Sequence, residues 1–128
     1  MKKVVILFFV LTIVFVAGCG NQASDSASEA AKQYILALAE KDKPRVVSLS
    51  CNEWEESAIL EVDALLSVGA SVSNLECKIV DQNDSQADVV CTGNLDLTYN
   101  DEVRAIDLSR KTYSLSQEDG QWRVCSYQ

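Results

Sequence analysis

The apolar residues of this chain change period near Val72. Before that point they recur three and four residues apart, as on one face of a helix; beyond it they alternate with polar neighbours, as on one face of a sheet. A helical pattern followed by an alternating one predicts an α+β domain in which helices cover one face of an antiparallel sheet. Ser26-Ala27-Ser28-Glu29 fits a capping box, and Ala31, Tyr34, Ile35 and Leu38 continue at helical spacing until Asp42-Lys43-Pro44. The first helix therefore spans about Ala27 to Glu40. A shorter second helix starts after Asp42, with Pro44 in its first turn, and runs toward Cys51. Asn52-Glu53-Trp54-Glu55 offers a cap for a third helix, in which Trp54, Ala58, Val62 and Leu65 share one face while Glu55, Glu56 and Glu61 face water, and Gly69 ends it.

Four strands follow. Leu75, Cys77 and Ile79 alternate in the first, from Val72 until Asp81-Gln82-Asn83-Asp84-Ser85 breaks the pattern. The second runs from about Ala87 to Tyr99, Asn100-Asp101 makes a tight turn, Val103 to Ser116 form the third, and Glu118-Asp119-Gly120 lead into the last, Gln121 to Tyr127. Within the third strand the alternation slips between Ile106 and Leu108 on one side and Tyr113 and Leu115 on the other, which places a bulge near Ser109 to Lys111. A bulge bends a sheet, and three helices on a curved four-stranded meander bury the apolar face of each layer.

At the N-terminus, Lys2 and Lys3 precede an apolar run from Val4 to Ala17 that closes on Val16-Ala17-Gly18-Cys19. The run is shorter than the roughly 20 apolar residues that span a bilayer, and a polar segment follows it, which is the layout of a cleaved export signal. Val16-Ala17-Gly18-Cys19 resembles the lipobox of bacterial lipoproteins. That resemblance implies removal of residues 1–18 and attachment of a diacylglyceryl group to the Cys19 thiol, with acylation of the new amino group as an added chain; two or three chains make a stable anchor where one is marginal. Residues 19–25 then serve as lipidated cysteine and flexible tether, and residues 26–128 as the folded domain. The expected address is extracytoplasmic, on the cell membrane or outer membrane.

Removing residues 1–18 leaves 110 of the 128 residues and, with Lys2 and Lys3 gone, moves the formal charge from −8 to −10. So acidic a domain opposes binding to nucleic acid or to anionic headgroups, because it lacks the Lys and Arg clusters that would neutralise them. Membrane contact is expected through the lipid on Cys19 alone.

Cys51, Cys77, Cys91 and Cys125 remain, an even number suited to two disulfides in an oxidising compartment. Zinc is disfavoured by the absence of histidine and of any C-x-x-C pair, with spacings of 26, 14 and 34 residues; free buried thiols stay open. Strand order selects among the three connectivities. Neighbouring strands lie about 4.8 Å apart, whereas a disulfide needs Cα atoms within about 7 Å, so Cys125 on the fourth strand is out of reach of Cys91 on the second and of Cys77 on the first. A hairpin centred on Asp84 sets Cys77 opposite Cys91. Cys51 is left to staple the helical layer to Cys125, whereas a first strand that paired elsewhere would let Cys51 reach Cys77 instead.

Leu49-Ser50-Cys51-Asn52-Glu53-Trp54-Glu55, then Thr98-Tyr99-Asn100-Asp101-Glu102 with Ile106-Asp107-Leu108-Ser109, and finally Trp122-Arg123-Val124-Cys125 resemble motifs of a group of small lipoproteins in the NTF2-like superfamily, a group with no assigned activity. The resemblance covers about Ala30 to the C-terminus and implies an NTF2-like, or cystatin-like, fold, a cone of helices closed by a bent antiparallel sheet. Enzymes of that superfamily work inside the cone with an acid or base and a hydroxyl or carboxylic donor. Candidates here are Asp63, Asp96 and Asp107 as acids, with Tyr34, Tyr99 and Tyr113 as donors. Each has a simpler account: Asp63 as a solvated charge at a helix edge, Asp96 and Asp107 as the wet face of the sheet, and the tyrosines as core or rim. No histidine is present to activate a serine. No catalytic residue, metal or cofactor is therefore expected. The pattern favours a non-enzymatic module that takes a small apolar ligand, or an envelope protein as partner. A structural accessory of an envelope complex, and less so an enzyme using Asp and Tyr acid–base chemistry, remain compatible.

Overall fold

Ser26 opens the first helix as a capping residue should: its Oγ accepts the Glu29 amide at 3.1 Å. The Glu29 carboxylate does not close the box but accepts from Gln33 Nε2 at 2.7 Å. The computed structural model describes residues 26–128; the segments read from the sequence as a leader (1–18), a lipidation site (Cys19) and a tether (20–25) lie outside the described residues. Helix α1 spans Ala27–Glu40 and ends on Lys41, whose φ of 58° turns the chain so that the Lys41 and Asp42 amides reach the Leu38 and Ala37 carbonyls. Helix α2 (Lys43–Ser48) is capped by the Asp42 carboxylate, with Pro44 in its first turn. Helix α3 (Glu55–Leu65) differs from expectation at its start: Trp54 is the N-cap and makes no side-chain cap, and the acidic Glu55 and Glu56 in the first turn suit the positive end of the helix dipole.

The strands are β1 (Gly69–Gln82), β2 (Gln86–Tyr99), β3 (Glu102–Asp107), β4 (Thr112–Glu118) and β5 (Gln121–Tyr127), joined as an antiparallel meander. β2 pairs with β1 along one edge and, on the other, with β3 through Asn94–Tyr99 and with β4 through Gln86–Val90. The single bulged third strand expected from the sequence is thus two strands separated by a 3-10 turn, Leu108–Arg110. Asp107 causes the break: its Oδ1 accepts both the amide and the hydroxyl of Ser109, at 2.9 and 2.6 Å, offering the backbone an alternative to the ladder. A second bend, without warning from the alternation, lies in β1, where the register shifts between Ser73 and Glu76 at Asn74, φ 54°. Gly93 opposite has φ 104°, and a Cβ there would sit 2.5 Å from the Ser73 and Asn74 carbonyl oxygens.

Helix α1 packs on this bent sheet through Ala27, Ala30, Ala31 and Ala37, all fully buried, whose small side chains let helix and sheet approach closely; Tyr34, Ile35 and Leu38 reach further in. Val89, Leu115, Trp122 and Val124 complete the core from the sheet. Cys77 sits directly opposite Cys91, with Cα atoms 4.0 Å apart, and Cys51 lies 4.9 Å from Cys125, so both pairs stand at disulfide distance. The second pair closes a sequence separation of 74 residues. Around it the Leu49–Cys51 segment adds a short parallel bridge to β5, Val124 donating to the Leu49 carbonyl and Cys51 to the Val124 carbonyl, each at 2.8 Å.

Candidate functional site

The acid that faces the cone is Glu61, which the sequence reading placed in water. Glu61 stands three residues after Ala58 and four before Leu65, and at 3.6 residues per turn this spacing puts it on the buried face beside Val62. The outward face of α3 carries Leu60, and the residue that caps its C-terminus is Leu66; they are 63 % and 60 % exposed. Glu61 and Leu60 thus depart from an otherwise amphipathic helix, whose Ala58 and Val62 are buried and whose Glu56 and Asp63 are exposed; a carboxyl group turned inward costs stability and marks a candidate site.

Three tyrosines and a tryptophan surround the carboxyl group. Tyr34 comes from α1, Tyr113 from β4 and Tyr127 from the end of β5, and their rings meet edge-on or tilted, with centroids 6.4 Å apart for Tyr34 and Tyr113 and 5.7 Å for Tyr113 and Tyr127. Trp54 closes the group, its ring 5.6 Å from Tyr127 and its Nε1 donating to Tyr34 Oη at 3.0 Å. Lys111, the residue after the 3-10 turn, lays its Nζ 3.8 Å from the Tyr127 ring centroid. The break between β3 and β4 is what swings that lysine inward.

Glu61 Oε1 is buried and has no hydrogen-bond partner, and Glu61 makes no ion pair within 4 Å among the described residues. Burial raises its carboxyl above the ordinary carboxylate range; the Lys111 charge and the Tyr127 and Tyr34 hydroxyls oppose the rise without cancelling it. Burial, and next the Glu61 charge, pushes the Tyr34, Tyr113 and Tyr127 phenols upward, so all three keep their protons near neutral pH. In front of this group opens a cavity of about 190 Å³ whose wall is mostly Ile35, Leu38, Leu65, Leu95, Leu97 and Ile106. One carboxyl group, one ammonium group and the Tyr113 and Tyr127 side chains therefore share a space otherwise walled by aliphatic residues.

None of the three aspartates singled out from the sequence lines that cavity. Asp63 pairs with Lys43 at 2.5 Å on the surface, both side chains more than two-fifths exposed. Asp96 accepts from Ser73 Oγ at 2.8 Å across the β1–β2 ladder. Asp107 is spent on the 3-10 turn, where the Ser109 hydroxyl and amide lower its pKa at an exposed position. Of the tyrosines, Tyr34 and Tyr113 are buried beside Glu61, while Tyr99 stands 63 % exposed near the tip of the β2–β3 hairpin. Lys111 and Tyr127 escaped notice because nothing in a strand pattern announces which end of a broken strand turns toward a helix.

No family model and no curated protein matches the chain. Solved structures do. A SEC-C motif protein from Rhodopseudomonas palustris superposes with a TM-score of 0.56 at 12 % identity, each chain covering 80 % of the other. A protein of unknown function with a cystatin-like fold from Nostoc punctiforme gives 0.51 at 13 % identity, over 78 % of this chain and 84 % of that one. A dehydratase candidate of the NTF2-like family from Streptomyces avermitilis gives 0.54 at 12 % identity, over 77 % and 87 %. At such identities the likeness speaks to shape alone. In shape, three helices on a bent antiparallel sheet, the described residues from Ser26 to Gln128 have an NTF2-like, cystatin-like fold.

Proposed function

We propose that this chain is a lipid-anchored, extracytoplasmic module that binds a small, largely apolar ligand in the cone. The observation that carries the reading is the buried, unpartnered Glu61 Oε1 at the wall of an apolar cavity. Buried acceptors without partners are rare because each costs about 1–3 kcal/mol; Glu61 as a residue lines the cavity, so a ligand that brings a donor and draws its side chain round would satisfy the oxygen. A cavity of about 190 Å³ is of the size that takes one small ring, since an apolar cavity of about 150 Å³ holds benzene. Anchoring rests on Lys2, Lys3, the apolar run and the Val16-Ala17-Gly18-Cys19 pattern. No helix among the described residues is long and apolar enough to cross a membrane.

Ligand-observed NMR with a set of single-ring fragments tests the reading, using the full chain and a Leu97→Trp variant whose indole fills the cone. Fragments should give saturation transfer with the wild type and lose it with the variant. Equal signals from both proteins would place binding elsewhere and end the proposal.

One observation favours a second reading. A carboxyl group with a raised pKa among neutral phenols is also the equipment of a general acid or base. Under that reading Glu61, rather than any aspartate, moves the proton, and a Tyr hydroxyl steadies the developing charge. The test is turnover of a bound fragment that disappears in Glu61→Gln while binding persists.

A further inference from the structure

The polar groups in the cone go beyond a capacity for ligands to a preference among them. We propose that the ligand is a small organic cation, an ammonium group on an apolar body, which takes the place of the Lys111 ammonium on the face of Tyr127 and pairs with the Glu61 carboxylate. The inference rests on the ligand-binding reading above.

Three observations converge. Lys111 Nζ, 3.8 Å from the Tyr127 centroid, shows that this ring face accepts an ammonium group at cation–π distance. Its own side chain is long, follows directly on the 3-10 turn and is only half-buried, so it can extend to solvent while leaving its methylene stem on the wall. Glu61 lies within reach of the same cavity with one oxygen unpartnered and no ion pair, so the cone offers a negative group that Lys111 screens but does not satisfy. The surroundings add to the preference. In a cavity walled by aliphatic side chains a charge pair is worth more than the same pair in water, and a neutral donor on the ligand forgoes that gain. An anionic ligand would have to enter beside Glu61 from a strongly acidic surface.

The test compares three probes of one shape and three charges: benzylamine, a cation at neutral pH, benzyl alcohol and benzoate. The full chain, labelled with ¹³C-tyrosine and held in lipid nanodiscs, is titrated with each, and protein-free nanodiscs are the partition control. Benzylamine should shift the Tyr127 and Tyr113 resonances and bind about tenfold or more tighter than benzyl alcohol, tenfold being the affinity ratio worth about 1.4 kcal/mol. Lys111→Met should tighten benzylamine further, and Glu61→Gln should erase the difference between amine and alcohol. Equal binding of amine and alcohol by the wild type would overturn the cation preference and leave the ligand-binding reading intact. Tightest binding of benzoate would overturn it as well, by making Lys111 the anchor. No response of Tyr113 or Tyr127 to any probe would overturn both readings together.

Discussion

Replacing Glu61 by leucine should make the protein more stable. The substitution removes a buried carboxyl group whose Oε1 has no partner and fills its place with a side chain that suits Val62, Leu65 and Ile35. An unsatisfied buried acceptor costs about 1–3 kcal/mol, and because Glu61 keeps partial exposure and some support from Lys111, Tyr127 and Tyr34, the lower end applies, a gain of about 1 kcal/mol. In a domain near 100 residues that corresponds to a rise in Tm of about 4–8 °C. The gain has a pH signature. Burial raises the folded-state pKa, so between the ordinary carboxylate value and the raised one the folded protein holds the proton that the unfolded chain has lost, and stability falls as pH climbs through that window. The leucine variant lacks the slope. Its advantage should be larger at about pH 8 than at about pH 4, where both states of the wild type carry a largely protonated carboxyl group. Thermal denaturation followed by circular dichroism at both pH values, with all cysteines oxidised, measures both effects. A variant less stable than wild type near pH 8, or an advantage equal at the two pH values, would refute the assignment of Glu61 as a strained group held for function.

Other outcomes are equally specific. Intact-mass analysis of protein extracted from membranes should find a chain that starts at Cys19 and carries a diacylglyceryl mass, which Cys19→Ala loses; residues 1–18 still attached would defeat the anchor. Proteolysis without reduction should release one fragment linking Cys51 to Cys125 and another linking Cys77 to Cys91. With those bonds formed, removing the first pair, which closes a separation of 74 residues, should cost on the order of 4 kcal/mol in the chain-entropy model, against about 3 for the 14-residue separation of the second. Denaturant melts of Cys51→Ala/Cys125→Ala and Cys77→Ala/Cys91→Ala read the order, and the reverse order would reject the model here. Gly93→Ala should cost about 1–3 kcal/mol by the same melts, since its Cβ would meet two carbonyl oxygens at 2.5 Å and its φ of 104° suits only glycine; a neutral result would contradict the bend described at Asn74.

Periodic elements were legible in the sequence because burial imposed their period. The capping pattern at Ser26 and the helical spacing of Ala31, Tyr34, Ile35 and Leu38 predicted the span of α1, and Asn100-Asp101 and Asp119-Gly120, all four with positive φ, marked the hairpin turns. The site was less legible because it departs from that rule. Reading Glu61 by its chemistry put it in water, whereas reading only its spacing from Ala58 and Leu65 would have put it in the cone. The 3-10 turn had a visible signal too: an Asp two residues before a Ser is a competent Asx turn, and Asp107 with Ser109 made one where alternation alone suggested an extra residue in a continuous strand. The β1 bend at Asn74 and the inward swing of Lys111 depend on which strand lies opposite, and that is a property of the assembled sheet.

The small parallel bridge between Leu49–Cys51 and β5 has a bearing on how copies of this chain meet one another. A terminal strand with unpaired amides and carbonyls is a template on which a neighbouring chain can add a strand, and the proposed lipid anchor would concentrate copies of the protein in two dimensions. Here the middle of that border is occupied from within, by the Leu49 carbonyl, the Cys51 amide and the side-chain pair of Cys51 with Cys125. The opposite border, β1, is kinked at Asn74 and so presents no long straight run to a copy. Holding the cysteine staple closed therefore guards the lone molecule against self-association as well as against unfolding.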